Sequence, residues 1–109
     1  MRLYGFCLEF LVPSEVDIGH PARRRNGRTD DPAPNPTIGA VRASVKTDGR
    51  WTLLRVSGSN PSLFVCVAVP AADEQSARVF VQAEVHGIVM DLIPGVQFVG
   101  IDPTDPNPS

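Results

Sequence analysis

Alternation of apolar and polar residues along the chain predicts several short β-strands. Residues 2–12 have one continuously apolar face, formed by Tyr4, Phe6, Leu8, Phe10 and Val12. A period of two is typical of a strand that turns one face to the core. Pro13 ends this first strand, because proline has no N–H to donate to the ladder.

The region around Asp48-Gly49 predicts a β-hairpin. Residues 41–46 alternate between small apolar and polar side chains, and residues 51–57 also alternate. The Asp-Gly pair favours the positive φ angles of a tight hairpin turn. The apolar run at 63–69 predicts a further strand that is buried on both faces. A last strand is predicted at residues 95–101.

Residues 77–93 fit two patterns. Apolar residues recur at helical spacing, namely Ala77, Val81, Val85, Ile88, Val89 and Leu92. Most of these are β-branched, however, which favours strands. Val79, Val81, Ala83 and Val85 also alternate with the polar residues Arg78, Gln82, Glu84 and His86. We therefore predict a strand with a bulge or bend at Gly87, and a helix is the alternative.

Together these segments predict an all-β, mainly antiparallel fold. We expect a small barrel or two-layer sandwich of six to seven strands, with at most one short helix near 70–77. The chain of 109 residues suits one domain. That domain covers residues 1–101 and includes a long polar arm at 13–37. An extended, Pro-rich tail follows at 102–109.

The arm and the tail are the predicted partner-binding segments. A connection of this length is mostly functional or disordered. Closely spaced prolines favour stiff polyproline segments, which lose less entropy on docking than a flexible chain does. The residues expected to contact a partner are Arg23, Arg24, Arg25, Arg28, Pro32, Pro34, Pro36, Pro103 and Pro106.

The net charge of −2 conceals an uneven distribution. The four arginines of the arm lie within six positions, so the remainder of the chain is clearly acidic. An acidic body does not attract nucleic acid, and phosphate binding would have to come from the arm. The arginine cluster is therefore a solvated loop, a contact to an acidic protein surface, or a contact to a phosphate backbone. We favour a protein partner over nucleic acid.

Few residues suggest catalysis or metal binding. His86 lies close in sequence to Glu84 and Asp91 and is the best acid/base candidate, but a solvent-facing histidine fits the same pattern. The possible metal ligands Cys7, His20, Cys66 and His86 do not have the sequence spacing of a metal site. The sequence therefore predicts no enzymatic activity, no metal and no cofactor.

The two cysteines and the hydropathy profile indicate the cellular compartment of the protein. Cys7 and Cys66 lie inside apolar runs, which favours two buried thiols, with a disulfide as the alternative. No run approaches the roughly 18 apolar residues of a membrane helix, and the start does not resemble a signal peptide. We expect an intracellular, cytoplasmic protein that makes no contact with a membrane.

The combination of a β body, a polar arm and a Pro-rich tail predicts a structural or assembly protein. Its body would pack against neighbours while the arm and tail lace onto partner subunits in a homo-oligomer or larger assembly. A virus or phage virion component, such as a capsid decoration, head-tail or tail protein, is the favoured instance by analogy of architecture. The alternative is a small OB-like nucleic-acid-binding barrel that uses the Arg23–Arg28 loop.

Overall fold

A computed structural model describes residues 2–18 and 36–106, and the described residues form four strands and two helices. These elements are β1 (Arg2–Leu11), α1 (Pro36–Thr47), β2 (Thr52–Ser59), β3 (Ser62–Ala71), α2 (Glu74–Leu92) and β4 (Gln97–Thr104). Residues 19–35, which include the arginine cluster, and residues 107–109 lie outside the described residues.

The four strands form one antiparallel sheet in the order β2-β3-β1-β4. This strand order, combined with the element order β-α-β-β-α-β, is the ferredoxin-like topology. Both helices contribute to a single core with one face of the sheet. The sheet side of that core is formed by Phe6, Leu8, Phe10, Val56, Leu63, Val65, Val67 and Val69.

The prediction of a mainly antiparallel sheet is confirmed, but a barrel or sandwich of six to seven strands is wrong. Two segments that were assigned to strands form helices, which leaves four strands among the described residues. The sheet therefore has two edges, β2 and β4, and the helices cover the face that a second sheet would have covered. The limit of one short helix is also wrong.

The segment before Asp48-Gly49 is α1, so the first half of the predicted hairpin is wrong and β2 is its second half. Val41 and Val45 lie one helical turn apart and are both fully buried. The Trp51 Nε1 donates a 2.9 Å hydrogen bond to the Val45 carbonyl. This bond satisfies one of the last carbonyls of α1, which have no partner within the helix. The alternation of residues 41–46 could not reveal this contact, because Trp51 lies outside that segment.

Most of residues 77–93 lie in α2, so the predicted strand is wrong and the alternative is confirmed. The helix buries one side chain per turn against the sheet: Ala77, Val81, Val85 and Val89. The helical penalty of β-branched residues is below about 0.7 kcal/mol each, whereas burying a valine is worth about 1.5–3 kcal/mol. At the start, the Asp73 carboxylate accepts a 2.8 Å hydrogen bond from the Ser76 N–H.

The ends of β3 and β4 also differ from the prediction. Pro70 falls within the range of the predicted short helix near 70–77, yet it lies in β3 opposite Leu3. Residues 102–104 were assigned to the extended tail, but they belong to β4 and pair with β1. The expected strand at 63–69 is confirmed, and the last strand is displaced by a few residues.

The described start of the arm is attached to the body through Asn60. Its side chain donates a 2.7 Å hydrogen bond to the Val16 carbonyl and accepts one of 2.6 Å from the Ile18 N–H. Ile18 is only 2% exposed and belongs to the core. The last described residues before the arginine cluster therefore lie close to the β2–β3 turn.

Two valines of α2 give a test of this fold. Val81→Ala removes two buried methyl groups, so we expect it to lower the free energy of unfolding by about 2 kcal/mol. Val79 is 58% exposed, and Val79→Ala should change stability by less than about 0.5 kcal/mol. Denaturant unfolding measures both. A strand would turn both valines to the same face, so equal losses would contradict the helix.

Candidate functional sites on the open face and the edge of the sheet

The face of the sheet opposite the helices, termed the open face, is organised in rows that cross all four strands. Directly paired residues of antiparallel strands point to the same face. The pairing register gives four complete rows: Thr52–Ala68–Gly5–Thr104, Arg55–Cys66–Cys7–Asp102, Ser57–Phe64–Glu9–Gly100 and Ser59–Ser62–Leu11–Gln97. Leu3 and Pro70 pair beyond the first of these rows.

The central strands give the open face an apolar character. Among the ten outward positions of β1 and β3, Glu9 is the only charged residue. A sheet face in contact with water normally carries polar residues at these positions. Leu3 and Leu11 are instead 46% and 38% exposed, and Phe64 is half-buried. This surface resembles an interface more than a solvated face.

The second row has opposite charges at its two ends. Arg55 lies on the edge strand β2 and Asp102 on the edge strand β4, and both are exposed. Between them Cys7 and Cys66 form a disulfide with a Cα–Cα distance of 4.0 Å. The interpretation of two free thiols is therefore wrong. The sequence could not show the bridge because it depends on the register between β1 and β3.

The chain after β4 covers one end of the open face. A Cβ atom on Gly5 would lie 2.7 Å from the Thr104 carbonyl oxygen and 2.9 Å from the Pro106 Cα. Contacts this short are sterically forbidden, so the approach of Pro106 depends on the absence of a side chain at Gly5. The described part of the Pro-rich tail thus packs on its own sheet.

A second candidate site is the edge groove, a cavity of about 500 Å³ between α1 and the free edge of β2. Arg42 and Lys46 of α1 line one side, and residues 51–56 line the other. Arg55 is the third cation of the groove. The Arg42 guanidinium donates a 3.3 Å hydrogen bond to the Val56 carbonyl, which holds this side chain against the strand. Within the described ranges these cations make no ion pair.

Arg50 and its neighbours join both helices to β2 beside the groove. The guanidinium lies 5.0 Å from the Trp51 ring centroid and 5.2 Å from that of Phe80. It also forms ion pairs with Asp48 and, at 3.3 Å, with Glu84. Hydrogen bonding to Arg50 lowers the pKa of Asp48, and the same bonds raise the pKa of Arg50. These contacts give the cluster a structural role.

His86, the acid/base candidate, lies in an aromatic environment. Its ring centroid is 5.7 Å from that of Phe10 and 5.8 Å from that of Phe98. Glu84, its proposed carboxylate partner, is paired with Arg50 instead. The described contacts of His86 are therefore packing contacts between α2 and the sheet.

The predicted partner-binding residues fall in three places. Pro36 is the first residue of α1, where proline is well tolerated. Pro103 lies in β4 opposite Phe6, and Pro106 packs over Gly5. The remaining ones lie outside the described residues: Arg23, Arg24, Arg25, Arg28, Pro32 and Pro34. Neither the open face nor the edge groove is visible in the sequence, because strand pairing assembles the first and the packing of α1 beside β2 forms the second.

In the described part of the chain, no group of three or more His, Cys, Asp or Glu side chains could hold a metal ion. Neither α1 nor α2 is long and apolar enough to cross a membrane. No protein-family model, curated protein or solved structure matches this chain. The candidate sites therefore rest on the geometry of this molecule alone.

The disulfide gives a test of the β1–β3 register. Its removal opens a covalent loop with a sequence separation of 59 residues. Chain-entropy estimates for a loop of that size are about 4 kcal/mol, and measured losses run from about 2 to 5 kcal/mol. We expect Cys7→Ala/Cys66→Ala to lower the unfolding free energy by this amount in guanidinium titrations. Reductant should destabilise the wild type and leave the double variant unchanged; equal sensitivity would contradict the bridge.

Proposed function

We propose that the protein is a non-catalytic assembly protein that pairs with a second copy of itself through the open face. The carrying observation is the row Arg55–Cys66–Cys7–Asp102, which is apolar in the middle and oppositely charged at its ends. A surface of this kind is complementary to its own copy. Closed dimers with a twofold axis bring the same patch of both subunits together.

The charges select one orientation of the two sheets. A twofold axis that runs parallel to the strands, between the two open faces, places β2 of one copy over β4 of the other. Arg55 of each copy then faces Asp102 of the other, and the two disulfides lie at the centre. A twofold axis perpendicular to the strands would instead place like charges opposite each other, which is unfavourable.

The size of the open face predicts a weak, reversible dimer. Four strands about 4.8 Å apart, with about 3.3 Å per residue over ten residues, give a face of roughly 600 Å². Two such faces bury about 1,200 Å² in total, at the lower limit of standard-size interfaces. Pro106 occupies one end of the face and reduces this area further. Larger assemblies therefore need additional contacts.

The arm is the candidate for those contacts. Its prolines and the arginine cluster at 23–28 stay predicted partner-binding residues, and a virion component stays the favoured instance on architectural analogy alone. The OB-like alternative depended on a barrel, and the described strands form an open sheet with β2 and β4 at its edges. Nucleic-acid binding therefore needs a separate argument from a separate surface.

Charge reversal on the open face tests the dimer. Arg55→Asp or Asp102→Arg converts two attractive contacts between the copies into two repulsive ones. At roughly 1 kcal/mol or more for each altered contact, we expect the dimer dissociation constant to rise at least about tenfold. Sedimentation velocity over micromolar to millimolar concentrations measures it. Arg2→Asp, on an exposed residue of the other face, is the control and should leave the constant unchanged.

Mixing the two reversed variants makes the test specific for this orientation. Each variant alone is repelled by its own copy, but a mixed pair has opposite charges at both contacts. We therefore expect the equimolar mixture to form a heterodimer at concentrations where either variant alone is monomeric. A wild type that stays monomeric, or a mixture that stays dissociated, would overturn the proposed pairing.

A further inference from the structure

The edge of β2 beside the groove is protected at two points against the addition of a further strand. An extended peptide joins a sheet by pairing with the free backbone groups of the edge strand. In β2 the Val56 carbonyl already accepts a hydrogen bond from Arg42. The register of β2 is also interrupted between Leu53 and Arg55, which bulges the strand at Leu54. Both features are devices that protect an edge from strand addition.

The cations of the groove flank this blocked edge on both sides. Arg42 and Lys46 lie one helical turn apart on the side of α1, and Arg55 lies on the side of the open face. Five consecutive residues of β2, Thr52 to Val56, line the groove, which corresponds to a length of about 17 Å. The half-buried Leu53 and Leu54 form part of its floor. The groove is thus long, open and positively charged.

Two acidic side chains near the α1–β2 junction are already paired with another cation. Asp48 and Glu84 are both bound to Arg50, which lies outside the groove lining. No acidic residue is among the described residues that line the groove. Among the described residues, the three groove cations therefore have no ion-pair partner within the same copy.

We propose that the edge groove binds the phosphate backbone of a single-stranded nucleic acid. Arginine and lysine side chains bind phosphate oxygens without using the backbone of β2, so the blocked edge does not hinder them. An open groove suits a chain that passes along it, because small-molecule ligands are normally buried by 70–90% or more. The site lacks an exposed aromatic ring on which bases could stack, since Trp51 is 6% exposed. Binding is therefore independent of base sequence.

Two of the three groove cations lie apart from the dimer surface and can be tested separately from it. Arg42 and Lys46 belong to α1, on the opposite side of the sheet from the open face. Arg55 contributes to both surfaces and is left unchanged in the tests below. Loss of nucleic-acid binding without loss of the dimer, or the reverse, distinguishes the two proposals.

Salt dependence gives a quantitative expectation. Each phosphate neutralised on a single strand contributes about −0.7 to the slope of log affinity against log salt concentration. Three groove cations therefore account for a slope of about −2, to which the arginine arm can add. Removal of two of them should reduce the magnitude of the slope by about 1.4.

The experiment titrates the full chain into a fluorescently labelled twelve-nucleotide oligothymidylate at 25 to 200 mM salt and follows the anisotropy. We expect Arg42→Gln/Lys46→Gln to weaken binding more than tenfold at 50 mM salt. Arg2→Gln/Arg78→Gln removes the same charge elsewhere and should weaken binding less than threefold. Lys46→Arg alone keeps the charge and should keep the affinity. Circular dichroism of each variant verifies the fold.

Three results would overturn the proposal. The first is a wild type that fails to bind the oligonucleotide at 25 mM salt. The second is a groove variant that keeps wild-type affinity while replacement of Arg23, Arg24, Arg25 and Arg28 by Gln abolishes binding. That result would place the binding in the arm. The third is displacement of the oligonucleotide by polyglutamate of the same length at equal concentration. That result would show that the groove accepts an acidic peptide as readily as a phosphate chain.

Discussion

The pairing of β1 with β3 is the constraint on which the rest of the structure depends. β1 is central in the sheet, so its register with β3 and β4 decides which residues share each row. A shift of one residue would turn the apolar set of Phe6, Leu8 and Phe10 away from the helices. The same register brings Cys7 opposite Cys66, and the disulfide then locks it covalently. Core and open face are therefore two consequences of one alignment.

A second group of contacts holds the helices over that sheet. The indole of Trp51 donates to the end of α1, and the Arg50 guanidinium lies over the rings of both Trp51 and Phe80, which is in α2. Ion pairs with Asp48 and Glu84 complete the cluster. It connects the α1–β2 junction to α2, and so fixes one wall of the edge groove. Asp48 and Glu84 are both paired with Arg50. Among the described residues, the groove cations therefore make no ion pair with either acid.

The sequence predicted the segments that pair within the sheet better than those that cover it. A period of two identified β1, and a continuous apolar run that is too short for a typical helix identified β3. The same local rule failed at α1 and α2, where valines at spacings of two and four satisfy both patterns. Only the need to cover one face of the sheet, a long-range demand, decides between them. The row from Arg55 to Asp102 joins all four strands, so no local pattern could have revealed it.

Arg55 links the two proposed surfaces energetically. It lies on the edge strand, at the end of a row on the open face and in the lining of the groove. One guanidinium that is bound to Asp102 of a second copy has fewer donors left for a phosphate. Each event therefore weakens the other by the same factor, since coupling between two binding equilibria is reciprocal. Pairing through the open face and binding of a nucleic-acid strand would then compete, with the side chain of Arg55 as the shared element.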